Sequence, residues 1–463
     1  MEIFFTKIFA FFSAKKYYNK LIAISILTSL ILILIPDKTK ACSTFFLKNG
    51  EHFVVGRNLD YYYADYMVTV NKRNVRKTAF QYAGEVVNLP ASWFSKYGSI
   101  SFNMFGREVT ADGMNEAGLV ISVLILEETE YPVIANKPSI SLDNWIQYLL
   151  DNFATVEEVI ESCSQINIRY NPVDFWRVHI FVTDGNGTNA VLEFINGELV
   201  LHTKETLEKT AITNSTYTSS IAYYNGGVQS GNMESSLNRY FNVAKMLDEY
   251  NNEDPIDYAY DVLAVCAQRI TQRSMVYDIS NKRIYLITSG NTNTRYFDLS
   301  SFDFSCDQPA LIYRETSADV GEISGNFIPY TWQINQDFIG PGWDFMGKTY
   351  TEQELIDFSQ YPESFSCIPT SINQILNTEK LIKVYPNPVN QFLKVELPFY
   401  ENDQVHITIL NISGQVVYDE IKNNVHENEY LKININSLQN GLHVLTIKSE
   451  GSAYEQKFIK VSD

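Results

Sequence analysis

From residue 42 onward the chain sets runs of strand-like segments between pairs of helix-like ones, and this ordering limits the folds open to it. Residues 42–57 (CSTFFLKNGEHFVVGR) place two apolar runs around Asn49 and Gly50, the pattern of a β-hairpin. Residues 106–126 read as a second strand pair around Gly113 and Asn115. VHIFVTDGNGTNAVLEFINGELV reads as a meander with turns over 184–187 and at Asn196 and Gly197. ISLDNWIQYLLDNFATVEEVIESCSQI reads as two helices, the second opened by a capping box of Thr155 and Glu158. SSLNRYFNVAKMLDEY and DPIDYAYDVLAVCAQ carry helical spacing, and SMVYDISNKRIYLIT reads as a further hairpin. Strict βαβ units do not occur, so the pattern predicts an α+β fold with helices stacked on antiparallel sheets.

Both ends of the chain have a different texture. Residues 1–20 carry Lys7, Lys15, Lys16 and Lys20, and LIAISILTSLILILI then runs to Pro36. That apolar run is short of the roughly 20 residues a membrane span needs. It fits the core of a secretory signal peptide over 1–41, cut after the small residue Ala41, so that Cys42 becomes residue one. A lipoprotein signal also cuts before a Cys, but here the charged stretch PDKTKA separates the apolar run from it, and an uncleaved anchor is the other alternative. Residues 42–305 form the main domain. Residues 306–376 scatter Gly, Pro and aromatic residues, as in FIGPGWDF, and predict an irregular extension or wrapping segment. Over 377–463 apolar and polar residues alternate between regular turn signals, which predicts a small antiparallel β-sandwich.

The formal net charge of −18 argues against nucleic acid as a partner, since phosphate binding needs clustered Lys and Arg. There are five cysteines, an odd number that leaves one free for chemistry in an exported protein. Cys163 and Cys266 lie in helical apolar patterns and read as buried. Cys306 and Cys367 flank the irregular segment, and a disulfide between them is open. No CxxC or Cys/His cluster has zinc-ligand spacing, so neither metal nor cofactor is expected.

A cysteine nucleophile needs a base, because a free thiol is mostly protonated at neutral pH. Of the six histidines, three lie in the C-terminal region, and His179, in the apolar run VHIFV, reads as a satisfied core residue. If the nucleophile is residue one, its own α-amine, with a reference pKa of about 7.7–8.0, can serve.

The run Cys42-Ser43-Thr44-Phe45, followed by Gly56-Arg57-Asn58-Leu59-Asp60, resembles the choloylglycine hydrolase family, the linear amide C–N hydrolases. Ala111-Asp112-Gly113-Met114-Asn115-Glu116, Thr213-Asn214-Ser215 and Asn238-Arg239-Tyr240-Phe241 are similar to the family's later blocks, in order. The resemblance implies an αββα sandwich of the N-terminal nucleophile hydrolases and a site of Cys42, Arg57, Asp60, Asn214 and Arg239. Cys42 attacks the amide carbon. Arg57 favours the ionised sulfur, Asp60 orients the α-ammonium, the Asn214 amide donates to the oxyanion, and Arg239 completes the network. Asn115 reads as a turn former. Where bile salt hydrolases carry an oxyanion-hole asparagine, an ungapped count lands on Ile125 in this chain; a backbone N–H can serve there instead, and the substrate is open among N-acyl amino acids, acyl-homoserine lactones, penicillin V-like amides and conjugated bile acids. Val384-Tyr385-Pro386-Asn387-Pro388, Ile412-Ser413-Gly414-Gln415-Val416, Asn440-Gly441-Leu442 and Lys457-Phe458-Ile459-Lys460-Val461 resemble the C-terminal sorting domain of type IX secretion.

The expectation is therefore a cysteine amidase acting on a small-molecule acyl-amide. It is secreted or held at the cell surface, and exported through the periplasm of a Gram-negative bacterium by signal peptidase and the type IX machinery. Tyr61, Tyr62, Tyr63, Trp93 and Phe94 are candidates for an apolar acyl pocket. The sequence is compatible with a monomer or an oligomer. The alternative is a surface-displayed binding protein on an inactive hydrolase scaffold, against which the joint presence of the five site residues argues.

Overall fold

The computed structural model describes residues 41–82, 87, 89–169, 177–227, 232–367, 383–396, 403–412, 414–425, 430–449 and 452–462. The expected signal peptide, apart from Ala41, lies outside the described residues.

The first hairpin forms as its apolar runs predict. Strand β1 (Ala41–Asn49) pairs with β2 (His52–Asp60) in a register from Ala41↔Asp60 to Asn49↔His52. Thr271–Asp278 extends the sheet beyond β2, followed by Arg283–Thr288, Arg295–Asp298 and Gly321–Glu322, while Ala211–Ile212 pairs with the outer side of β1. This gives a 7-stranded sheet. A 9-stranded antiparallel sheet faces it, with the meander 178–203 at one end, Val120–Ile125, Thr110–Asn115, Ser99–Asn103 and Met67–Asn71 in the middle, and Leu311–Tyr313 and Ile328–Pro329 at the other end.

Phe45, Val68, Phe102, Met114, Met275 and Tyr277 are buried in the core that includes the facing sides of the two sheets. Helices Ser236–Glu249 and Pro255–Cys266 cover the first sheet, and Leu142–Asn152 and Val156–Ser162 cover the second. Trp145, Leu149 and Val159 pack on Ile121, Ile180 and Leu192 there. Each fully buried aliphatic side chain of this kind contributes roughly 1.5–3 kcal/mol. The order helix, sheet, sheet, helix is the expected αββα sandwich.

The Thr155–Glu158 capping box is present. The turn of the second strand pair is displaced from its expected centre: Gly113 lies within the strand Thr110–Asn115, and the chain reverses after Asn115, whose Oδ1 accepts from the Ala117 and Leu119 N–H groups. At Gly113 a Cβ would stand 2.6 Å from the Ile100 carbonyl, so this glycine serves close strand packing.

The segment read as irregular contains regular structure. Two helices, Trp332–Met346 and Glu352–Gln360, start at Thr331 and Thr351, whose hydroxyls accept from the Ile334 and Glu354 N–H groups. Pro341 lies inside the first of them. Cys306 and Cys367 form a disulfide that closes the segment. Near the C-terminus, a three-stranded and a four-stranded antiparallel sheet share a core of Leu393, Ile407, Ile433 and Ile447. Among the described residues no helix is long and apolar enough to cross a membrane.

Candidate active site

Strand alternation divides the hairpin's side chains between two faces. Ser43 and Asn58 turn to the helices: Arg239 Nε donates to Ser43 Oγ (3.3 Å), and Asn58 Nδ2 donates to the Leu263 carbonyl (2.8 Å). Thr44 and Arg57 turn to the second sheet, where Thr44 Oγ1 meets Ser122 Oγ (3.3 Å) and Arg57 Nη2 donates to the Val123 carbonyl (2.5 Å). Cys42 follows Thr44 by the two-residue repeat. Glycine is required at position 56, because a Cβ there would lie 2.2 Å from the Phe45 ring.

The second sheet opens where these groups arrive. Thr110–Asn115 and Val120–Ile125 pair at Asp112↔Ser122, Gly113↔Ile121 and Met114↔Val120, and no further. The Leu126 N–H bonds to the Arg177 carbonyl (2.8 Å), so by antiparallel alternation the polar groups of Val123 and Ile125 face the gap. Arg57 fills part of the gap, taking the Val123 carbonyl and lying with Nε 3.8 Å from Asp112 Oδ2. Asn214 takes the Ile125 carbonyl through Nδ2 (2.9 Å).

The position of Asn214 follows from register. Ile212 pairs with Thr44, so Asn214, two residues on, comes opposite Cys42. Its Oδ1 accepts from the Cys42 backbone nitrogen (2.5 Å) and from Arg239 Nη2 (2.8 Å), which fixes the orientation of the amide. Arg239 is fully buried and also donates from Nη1 to the Met233 (3.2 Å) and Glu234 (3.1 Å) carbonyls. Asp60 Oδ1 accepts from Thr271 Oγ1 (2.5 Å), whereas its buried Oδ2 has no partner. In this structure Ala41 is still attached, so the Cys42 nitrogen is a peptide N–H standing where the α-amine of a processed chain would be.

Electrostatics follow burial. Burial works against the Arg57 charge, but Cys42 and Asp112 outweigh it and hold the guanidinium pKa above its ordinary value. Burial pushes the Asp60 carboxyl up to about 6, against the pull of Thr271, Arg239 and Arg57. It also pushes the Cys266 thiol up to about 12, which makes that cysteine inert.

Two residues outside the expected set hold the Asn214 turn. His179 Nε2 lies 2.7 Å from the Thr213 carbonyl, and its Nδ1 lies 2.8 Å from Glu193 Oε1. Glu193 Oε1 also accepts from the Tyr217 N–H (2.9 Å). Burial opposes the Glu193 charge, yet the hydrogen bond with His179 and the nearby His202 ring (3.7 Å) hold its carboxyl down at about 2. His179 is thus the satisfied core histidine its apolar strand suggested, and its partner is the residue before Asn214. Local sequence carries no signal for that pairing.

Cys42, Arg57 and Asp60 line an open cleft of about 680 Å³ whose other walls include Leu59, Tyr61, Phe105, Val109, Ile125 and Ile146. Of the aromatic candidates only Tyr61 lines it. Tyr63 stacks on Phe105 (5.6 Å), and Trp93 is buried, its Nε1 donating to Asp151 (2.8 Å). Asn115 spans the turn and the helix end, donating to the Leu150 (2.9 Å) and Phe153 (2.7 Å) carbonyls, and lies outside the cleft lining. Among the described residues no three His, Cys, Asp or Glu side chains cluster as metal ligands.

Comparison with known proteins agrees with this geometry. Residues 42–235 match the linear amide C–N hydrolases, choloylglycine hydrolase family, and residues 383–461 match the secretion system C-terminal sorting domain. A penicillin V acylase of Pectobacterium atrosepticum is 40% identical over 123 residues, which are 24% of this chain and 33% of that protein. The chain thus spans a third of the length of this curated relative. The structure of a penicillin V acylase from Agrobacterium tumefaciens superposes with a TM-score of 0.53 at 23% identity, covering 63% of this chain and 98% of the other. A variant of the conjugated bile acid hydrolase from Clostridium perfringens gives 0.50 at 18% identity, over 60% and 98%. Both likenesses concern the fold. The sorting domain indicates a secreted or cell-surface protein. Residues 42–235 are thus similar to the linear amide C–N hydrolases of the choloylglycine hydrolase family, and residues 383–461 to a secretion system C-terminal sorting domain.

Proposed function

We propose that this protein is an exported cysteine amidase that hydrolyses linear carbon–nitrogen amides, with Cys42 as nucleophile and its α-amine as base once residues 1–41 are removed. The observation that carries the reading is that Cys42 and Arg57 lie together in the lining of a largely apolar cleft, with Asn214 bonded to the Cys42 nitrogen.

The α-amine takes the thiol proton, and sulfur attacks the amide carbon. The carbonyl oxygen becomes an oxyanion, for which the second N–H of the Asn214 amide and the Ile125 N–H at the sheet gap are the candidate donors. The C–N bond breaks as the α-ammonium returns its proton to the leaving amine, leaving a thioester on Cys42. Water then attacks the thioester with the α-amine again as base and releases the acid. Asp60, with its unpartnered oxygen, is suited to hold the ammonium. The candidate substrates are small acyl-amides with an apolar group, among them N-acyl amino acids, acyl-homoserine lactones, penicillin V-like amides and conjugated bile acids. Export would use signal peptidase, passage through the periplasm and the type IX machinery.

The test is a panel of such amides with the chain beginning at Cys42. Turnover of at least one amide, abolished by Cys42→Ala, supports the reading. A correctly folded chain that binds but never turns over any of them overturns it in favour of a binding protein.

A further inference from the structure

One wall of the cleft is formed by Met104, Phe105 and Val109 of the loop that precedes the strand Thr110–Asn115, together with Thr110 and Ala111 at the start of that strand. The loop is not self-supporting. Glu108 has φ +78°, a left-handed conformation that a non-glycine residue keeps only when its surroundings impose it. Part of the restraint is the buried ion pair of its carboxylate with Lys77 Nζ (3.0 and 2.8 Å).

The remaining restraint comes from the disulfide-closed segment 306–367. The Arg107 N–H donates to Asn335 Oδ1 (2.9 Å). Gly106, at φ +138°, lies so close to the segment that a Cβ would stand 2.9 Å from the Phe358 ring and 3.1 Å from Ile339. Val109 packs with Ile339, Trp343 and Phe358. Gly342 lets the helix approach Phe105, since a Cβ there would be 2.8 Å from that ring. One turn further on, Phe345 meets Tyr61 (5.9 Å between ring centres) and Tyr63 (5.1 Å), and Tyr61 itself lines the cleft. The segment is tied at both ends, by Leu311–Tyr313 in the 9-stranded sheet and by Ser366–Cys367 paired with Val75–Thr78. It lies beyond residues 42–235, the part that matches the hydrolase family.

We propose that segment 306–367 is the specificity element of the cleft, with Gly342 and Phe345 as positioning residues. They set the places of Phe105 and Tyr61 and thereby select substrates whose apolar group is aromatic. The inference rests on reading Cys42 as a nucleophile whose substrate occupies this cleft. The aromatic selection follows from the walls: Phe105 and Tyr61 meet edge to face (6.4 Å, 79°), an arrangement to which a third ring adds favourably.

The experiment compares two alkylating reagents with one warhead, 2-chloroacetamide and N-(2-phenylethyl)-2-chloroacetamide. In both, the Cys42 sulfur–carbon bond forms as chloride leaves and the thiol proton passes to solvent. Labelling rates at Cys42 are read by peptide mass, and the ratio of aryl to parent rate constants is the observable. The wild-type chain favours the aryl reagent. Phe345→Ala lowers the ratio about threefold to tenfold, the range of one aromatic contact, and Phe345→Tyr restores it. Gly342→Val, which displaces Phe105, lowers it as well. Phe345 is partly exposed, so its removal leaves the core intact. A ratio unchanged in both Phe345→Ala and Gly342→Val overturns the inference while leaving the Cys42 reading in place. A wild-type chain in which Cys42 resists both reagents overturns the Cys42 reading itself.

Discussion

Substitution of Asp60 by asparagine is expected to change stability in opposite directions before and after the chain is cut at Cys42. In the chain that retains Ala41, Asp60 is buried, one carboxylate oxygen is unpartnered, and the carboxyl is pushed up from 3.8 to about 6. Between these values the folded chain binds more protons than the unfolded one, so stability falls as pH rises through the interval and stays lower above it. The loss at pH 7.5 is about 3 kcal/mol, at 1.36 kcal/mol for each pH unit. The substituted amide keeps an acceptor for Thr271 and carries no charge. Asp60→Asn in the Ala41-containing chain is therefore stabilising by up to about 3 kcal/mol at pH 7.5, and close to neutral at pH 3.8, where the acid is already protonated. On the proposed mechanism, in the chain that begins at Cys42 the α-ammonium supplies the missing partner. The same substitution then strands a buried cation and destabilises by about 3 kcal/mol. Guanidinium denaturation of the four proteins, followed by tryptophan emission, makes the comparison. All five tryptophans precede residue 367, so the signal reports on the region that holds the site. An Asp60→Asn effect of the same sign and size in both forms would refute the placement of the ammonium at Asp60.

Two further substitutions probe the turn beside Cys42. Asn214→Ala should lower kcat about 100- to 1,000-fold with a smaller change in KM, measured at saturating substrate, because it removes the proposed oxyanion donor and the acceptor of the Cys42 nitrogen. His179→Leu leaves Glu193 buried without its main partner and the Thr213 carbonyl without its donor. It should cost about 3–5 kcal/mol in a denaturation midpoint analysis and lower kcat through Asn214.

The parts of this molecule legible in the sequence are those written in local patterns. Apolar runs around Asn49 and Gly50 gave β1 and β2, and the Thr155–Glu158 box gave a helix start. The five candidate site residues could be named because their spacing resembles the blocks of a known family. That they meet is a matter of register: Thr44↔Ile212 carries Asn214 to Cys42, and no local pattern states which strands will pair. His179 looked like core and is core, but its service to the Thr213 carbonyl joins residues far apart in the chain. The helix over Trp332–Met346 was hidden by Gly340, Pro341 and Gly342, residues that disfavour a helix locally. Burial of Phe338, Ile339 and Trp343 outweighs that preference. Gly342 is explained by its contact with Phe105, which only the fold reveals.

On the proposed mechanism the α-amine of Cys42 is the base. The most direct measurement compares amide turnover by the chain beginning at Cys42, confirmed by intact mass and N-terminal sequence, with the same chain bearing one alanine before Cys42. Turnover is expected from the first and essentially none from the second, with both folded alike. Equal turnover by the two would contradict the claim, since a peptide nitrogen cannot take up the thiol proton.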